Sequence, residues 1–354
     1  MFSNYIKTNL TVIRKVALFA MPGFIALSAT LISCTSTSPK AEKTETQATG
    51  IKTKVVRLGY QSSGDIVRVT GVLEKRLQPL GIKVEWSQFA QGPQLMEAMN
   101  VGKIDLGSVG ETPPIFAQAA GGNIVYVAGR RLTSTSGQGS AIAVPKGSPL
   151  KTLADIKGQK VVFQKGSASH YFILKALEEA GLKYSDIQVL SMPNVEARGA
   201  FIQGTIPVWV TGDPHLALVQ KIHGARVLRD GKNIGTPGGY YVATRDFAKD
   251  NSELVRIILE EIDKNGQWAE ANRKEVAKLV APVLKIDLPI MEIVTSRANY
   301  RLQGITPDRM VVQQQIADLF YNEKILPKKI AIKDAMLTSE EYAALTPPTI
   351  LSQK

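Results

Sequence analysis

Side chains able to act as nucleophiles or bases are scarce in these 354 residues, which hold one cysteine, Cys34, and three histidines, His170, His215 and His223. A zinc site of Cys and His ligands, an iron–sulfur cluster or an intrachain disulfide needs more thiols than that. Cys34 has no base near it in sequence, so a catalytic thiolate finds no partner. His170 and His215 follow small-polar turns, where an imidazole is as easily a hydrogen-bond donor to a ligand as a general base. His223 falls on a helix read as surface, and Asp155 and Asp186 read as turn or cap residues. No Gly-x-Gly-x-x-Gly follows the first strand-like segment, and neither Gly-x-x-x-x-Gly-Lys-[Ser/Thr] nor Gly-x-Ser-x-Gly occurs, so dinucleotide, P-loop and nucleophile-elbow chemistry lack their cradles. No catalytic residue, metal or cofactor is assigned, and the chain is read as a non-enzyme.

Binding chemistry is better represented. Four small-polar clusters fall between a strand-like and a helix-like segment or just before a helix: Gln61-Ser62-Ser63-Gly64, Gly110-Glu111-Thr112, Gly166-Ser167-Ala168-Ser169-His170, and Gly212-Asp213-Pro214-His215. Each taken alone is an ordinary helix cap. Together, at equivalent places in an open α/β sheet, they line the crevice beyond the strands' carboxyl ends. Unpaired N–H groups at helix starts there favour an anion.

These clusters need elements to hold them, and the hydrophobic spacing supplies them. Segments 55–60, 82–89, 124–129, 141–145, 160–164, 206–210 and 240–245 read as strands. Segments 65–81, 170–181 and 195–204 read as helices, and 252–272, 274–284 and 308–325 form a helical C-terminal part. Strand–helix alternation over about 190 residues calls for mostly parallel sheets with helices on both faces.

Apolar residues are 44% and charged residues 21% of the chain, a globular mixture that excludes wholesale disorder and a polytopic membrane protein. Lys and Arg outnumber Asp and Glu by 43 to 31, a formal +12, but they are scattered along helices that also carry Glu. No basic run interleaves with aromatics, so no nucleic-acid partner is expected. Residues 1–15 are basic, 16–33 carry no charge, and Cys34 closes Leu31-Ile32-Ser33-Cys34. That pattern describes an export signal. It resembles a bacterial lipoprotein signal, by which 1–33 is removed and Cys34 carries the lipids. Losing Lys7, Arg14 and Lys15 lowers the formal charge from +12 to about +9. Residues 34–53, rich in Ser and Thr, read as a flexible linker.

Longer runs resemble one family. LGYQ (58–61), GVLEKRLQPLGIKVEWSQFAQGPQLMEAMNVGKIDLGSVGETPPIFAQAAG (71–121), VPKGSPLKTLADIKGQKVVFQKGSASHY (144–171), KALEEAGLKYSDIQV (175–189) and ILPKK (325–329) are similar to the aliphatic sulfonate-binding components of ABC importers, in the nitrate/sulfonate/taurine group. The resemblance implies an α/β, periplasmic-binding-protein-like (type II) fold of two lobes around a central cleft. Lobe 1 would comprise 54–140 plus 241–333, lobe 2 141–240, and a tail 334–354, with hinge crossings near 139–146 and 236–243. It implies an exported, periplasmic or cell-surface monomer that delivers a small organic anion to a transmembrane permease driven by a cytosolic ATPase. Carried over by position, Gln61, Gly110, Glu111, Thr112, Gly166, Ser167, His170, Arg198, Asp213 and His215 surround the ligand, with Glu111 turned away as a cap. Ser167→Ala and His170→Ala are then expected to weaken binding without unfolding the chain. Three positions depart from the family pattern: Pro207 stands for an Asp, Gly212 for an aromatic and His215 for a Tyr, which suggests an altered or enlarged specificity.

Overall fold

A computed structural model describes residues 51–61, 65–236 and 238–351. Cys34, the signal segment and most of the 34–53 linker lie outside the described residues. The strands are β1 (Val55–Gln61), β2 (Lys83–Phe89), β3 (Leu106–Val109), β4 (Ile124–Arg130), β5 (Ser140–Val144), β6 (Lys160–Phe163), β7 (Gln188–Ser191), β8 (Val208–Gly212), β9 (Arg226–Asp230), β10 (Tyr240–Thr244) and β11 (Leu302–Gln303). They form two sheets, ordered β11-β4-β10-β3-β1-β2 and β7-β6-β8-β5-β9. This is the expected two-lobed, type II arrangement.

The sheets are mixed rather than mostly parallel. β1 pairs in parallel with β2 and β3, and β6 with β7 and β8. β10 runs antiparallel between β3 and β4, and β5 antiparallel between β8 and β9. The reason is topological. The chain passes from one sheet to the other between Arg130 and Ser140 and returns between Asp230 and Tyr240. Each arriving strand therefore enters its new sheet from the edge where the others end. That edge, in both sheets, gathers the carboxyl ends of the parallel strands and the starts of β5 and β10.

Helical spacing survives in the structure with one break. The segment read as a helix over 65–81 is two short helices, Ile66–Thr70 and Val72–Leu77, followed by a 3-10 turn. Gly71, at φ 64°, ends the first and starts the second, a left-handed conformation that costs glycine little. The C-terminal helices Ser252–Ala271, Arg273–Leu284 and Leu288–Arg297 bury Leu254, Ile258, Val276 and Met291 against the first sheet's core. A second apolar cluster joins the helices Thr112–Ala119, Ala168–Glu179 and Pro307–Asn322 through residues such as Ile115, Ile173 and Phe320. Among the described residues no helix is long and apolar enough to cross a membrane.

Candidate functional site

The edge shared by the two sheets opens into a cavity of about 390 Å³. Its polar wall is made of strand ends. Gln61 closes β1, Ser108, Val109 and Gly110 close β3, Arg130 closes β4, Gly212 and Asp213 close β8, and Ser140 and Tyr241 belong to the two arriving strands. Gln61 donates from Nε2 to the Ser108 carbonyl at 3.0 Å, tying the ends of β1 and β3 together.

Arg130 is the cation of this wall. Its Nη2 donates to the Tyr241 hydroxyl at 3.2 Å and to Ser108 Oγ at 3.3 Å, and Nη1 donates to the Asn299 carbonyl at 3.4 Å. The guanidinium also lies 5.2 Å from the Tyr241 ring centroid. Burial opposes its charge, but Tyr241 and Asp65 outweigh that and hold its pKa above the ordinary arginine value. Among the described residues it makes no ion pair. Asp65 lines the same cavity and caps the helix Ile66–Thr70, accepting from the Val67 N–H at 2.9 Å. Burial pushes its carboxyl upward, partly offset by Arg130.

A second Arg and Asp meet across the two sheets. Arg297, at the end of the helix Leu288–Arg297, points Nη1 at Asp213 Oδ2, 3.4 Å away, and at Gln220 Oε1, also 3.4 Å. Asp213 also accepts from the Ala217 N–H at 3.0 Å through Oδ1 and donates its own N–H to the Gly139 carbonyl at 2.7 Å. Among the described residues this is the sole ion pair linking 140–230 to the rest of the chain. Burial outweighs Arg297 and pushes the Asp213 carboxyl up to about 6.

Of the ten residues expected at the ligand, Gln61, Gly110, Gly212's neighbour Asp213 and no others line this cavity. The remaining seven have identifiable places. His170 is fully buried among Phe116, Phe163, Tyr184 and Phe320. Its Nδ1 accepts from the Gly166 N–H at 3.2 Å and Nε2 meets the Tyr184 hydroxyl at 3.0 Å. Burial, helped by Lys165, depresses its pKa to about 3, so the ring is neutral. Ser167 donates its hydroxyl to the Gln164 carbonyl at 2.8 Å, and Gly166, at φ 76°, forms the turn beneath it.

Glu111 is buried, and its carboxyl is pushed up to about 7 by desolvation. It occupies the cap position of the helix Thr112–Ala119 without a side-chain cap bond, and Thr112 Oγ1 donates to its Oε1 at 3.4 Å. Glu111 does not line the cavity, and its side chain makes no capping bond to the helix it precedes. His215 packs against Trp209 with ring centroids 6.1 Å apart. Burial and the nearby Arg198 charge lower its pKa to about 4. Neither ring nitrogen of His215 nor Trp209 Nε1 has a hydrogen-bond partner among the described residues. Gly212 does line the cavity, and a Cβ there would sit 3.3 Å from the Gly139 carbonyl oxygen, so a side chain at this position would crowd that carbonyl.

A family model described as NMT1-like matches residues 49–284. A relative in Escherichia coli (strain K12), named as a candidate aliphatic sulfonates-binding protein, is 36% identical over 325 residues, 90% of this chain and 95% of its own. The chain belongs to the NMT1-like family. Two solved structures agree with this NMT1-like assignment. The alkanesulfonate-binding protein SsuA from Xanthomonas axonopodis pv. citri, bound to MOPS, superposes with a TM-score of 0.77 at 32% identity, covering 81% of this chain and 99% of that one. The periplasmic aliphatic sulphonate binding protein SsuA from Escherichia coli gives 0.72 at 36% identity, covering 81% and 93%.

Within this NMT1-like chain, most of the cavity's lining was not singled out by sequence, Asp65, Arg130, Tyr241 and Arg297 among it. Arg130 had one available signal, a charged residue directly after the apolar run Ile124–Gly129. Among the described residues no cluster of three or more His, Cys, Asp or Glu could hold a metal. The wall offers a fixed guanidinium, hydroxyls and an amide at the mouth of a two-lobed cleft, which is equipment for holding an anion rather than transforming it.

Proposed function

We infer that the chain is the extracytoplasmic solute-binding component of an ABC importer and that it captures an alkanesulfonate between its lobes. The observation that carries this is Arg130, a guanidinium standing at the carboxyl edge of the first sheet with a hydroxyl and a ring to orient it and, among the described residues, no carboxylate within ion-pair distance, its neighbour Asp65 acting on it only from further off. A monoanion with three equivalent oxygens can accept from the guanidinium fork and from neighbouring hydroxyl and backbone donors together. The names of the relatives support the choice of sulfonate over other anions. No reaction follows capture; the ligand passes to a permease driven by a cytosolic ATPase. Cys34 is the lipid attachment point that keeps the protein at the membrane surface, since acylation anchors without spanning.

Calorimetry of the exported chain with ethanesulfonate, propionate, sulfate and nitrate tests this. Ethanesulfonate binds most tightly of the four. Arg130→Gln weakens it at least tenfold, as loss of a charge-assisted hydrogen bond of roughly 1.5–3 kcal/mol requires. A folded variant with unchanged affinity removes Arg130 from the site and the sulfonate assignment with it. For the anchor, Cys34→Ser abolishes incorporation of labelled palmitate; persistent labelling would refute that placement.

A further inference from the structure

The edge of the first sheet opposite the cleft carries a charged hollow of its own. β1, β3 and β4 run parallel, so Lys54, Asp105 and Asn123 precede them at one edge. β10 ends there, and the Arg245 N–H donates to the Asn123 carbonyl at 3.0 Å. A hollow of about 390 Å³ opens beside this point, with Arg245, Lys328, Lys329 and Asp334 in its lining. The Arg245 guanidinium is held in place: Nη1 donates to the Met336 carbonyl at 3.2 Å and Nη2 to the Asp334 carbonyl. The loop after the two lysines is pinned as well. Gln314 accepts from the Ile332 N–H at 2.8 Å and donates to the Ile330 carbonyl at 3.0 Å, and Gln118 donates to the Ala331 carbonyl at 2.6 Å. On the same edge Lys52 and Lys249 are matched by Asp250 and Glu341. Among the described residues Arg245, Lys328 and Lys329 have no ion-pair partner, and Asp334 is the one carboxylate of the lining.

From this we propose that the hollow binds the phosphate of an anionic phospholipid and seats this edge of the protein on a membrane surface. A phosphodiester brings one negative charge, and its oxygens accept from guanidinium and ammonium donors alike. At ~30 Å³ per heavy atom the space takes about a dozen atoms, room for a phosphate with a short polar substituent. A bilayer rather than a solute is favoured by where the chain enters the body. Residues 51–54 lead into β1 at this same edge, and the Lys52 and Thr53 N–H groups donate to Asn251 Oδ1 at 2.8 and 3.1 Å. Sixteen residues separate Cys34 from Ile51, a reach of ~60 Å at most. Acyl groups on Cys34 therefore keep the edge close to headgroups, at an effective concentration where even a weak site fills. That this edge meets a bilayer in the cell rests on the anchor reading of Cys34; the charge of the hollow does not. Seated this way, the protein turns its opposite edge, with the cleft, toward the solvent from which solute arrives.

The experiment is flotation of the exported chain, without acyl groups, on vesicles of phosphatidylcholine alone or with about one-third phosphatidylglycerol. Three basic groups at about fivefold each make the partition roughly a hundredfold higher on the anionic vesicles. Lys328→Gln/Lys329→Gln removes about twenty-five-fold of that, with an unchanged unfolding midpoint in urea to report that the variant is folded. Lys151→Gln/Lys221→Gln takes the same charge from exposed positions of lobe 2 and changes the partition less than twofold. An equal loss from that second pair would assign the attraction to the diffuse basic excess of the chain. Displacement from the vesicles by micromolar glycerol phosphate at constant ionic strength would assign the hollow to a free solute. Either result, or equal partition onto the two kinds of vesicle, overturns the docking. Palmitate labelling at Cys34 and ethanesulfonate calorimetry report on the anchor and sulfonate readings separately.

Discussion

Replacing Arg297 by Met isolates the one ion pair that, among the described residues, links 140–230 to the rest of the chain. The methionine stem keeps most of the arginine's packing and removes the only charge paired with Asp213 among the described residues. A buried pair broken on one side typically costs 3–5 kcal/mol, but here the carboxyl has an escape: it can take up a proton. Asp213 already titrates near 6 against an ordinary 3.8, so its burial lowers stability at pH 7 by about 3 kcal/mol relative to acid conditions. The sign follows from proton counting. The folded state binds the proton more tightly than the unfolded one, so stability is full below about 3.8, falls as pH rises, and levels off above 6. Without Arg297 the folded-state pKa rises further and the fall continues. Complete protonation in the folded state sets the ceiling, about 4.4 kcal/mol at pH 7 and about 5.7 at pH 8. The pH-dependent cost of Arg297→Met is therefore under about 0.2 kcal/mol at pH 5, up to about 1.4 at pH 7 and up to about 2.7 at pH 8. Chemical denaturation at these three pH values reads it directly, with the fully buried Trp209 reporting on the second sheet. A penalty that is the same at pH 5 and pH 8 would show that Asp213 and Arg297 do not meet, and a penalty that shrinks with rising pH would reverse the reasoning.

Two further substitutions probe groups that face the core. His170→Ala costs about 3 kcal/mol of stability, because it empties a space among four aromatic rings and leaves the Gly166 N–H and Tyr184 hydroxyl without their partner; ethanesulfonate affinity stays within twofold, and a selective loss of affinity would put the ring back at the ligand. Glu111→Gln raises stability at pH 8 by up to about 3 kcal/mol, the cost of ionising a carboxyl pushed from 4.5 to about 7, and changes nothing at pH 4. Urea titrations at the two pH values decide it, and equal effects at both would mean that Glu111 is not held neutral by burial.

Much of the architecture is legible in the sequence because it is written in local periodicity. Alternation placed most long strands within a residue or two of their bounds, and the three-and-four spacing found the long C-terminal helices. The short elements were missed for physical reasons. β3 is four residues with Gly107 in the middle, too brief for a period to show, and its glycine is needed because a Cβ would sit 2.9 Å from Leu95 Cδ2. The antiparallel entries of β5 and β10 depend on which sheet the chain joins after each crossing, which no local pattern encodes. The site divides the same way. Gln61, Gly110 and Asp213 follow strands directly, so position places them at the edge. Arg130, Tyr241 and Arg297 meet there from separations of more than fifty residues. His170 shows the converse limit: a turn places the residue at the edge, but the direction of its ring is decided by Phe116 and Phe320 from other helices.

The charges of the cavity, taken together, bear on which anions it accepts. Arg297 and Asp213 largely cancel one another, which leaves Arg130 facing the Asp65 carboxyl. Burial drives that carboxyl toward its neutral form, and an arriving anion drives it further, because like charges in one buried site cannot both stay ionised cheaply. With Asp65 protonated, one guanidinium charge remains to be matched, and a monoanion matches it. A dianion such as sulfate would bring a second charge with no counterpart into a space backed on one side by the buried Ile262, Val280 and Met291, where an unpaired ion is costly. The expected consequence is that Asp65 acts on selectivity through protonation rather than contact, so that binding of a sulfonate draws a proton onto the protein. Calorimetry of ethanesulfonate in buffers of different ionisation enthalpy measures that proton directly. Net proton uptake on binding, abolished by Asp65→Asn, is the expected result; binding with no proton exchange in the wild-type chain would refute this role for Asp65.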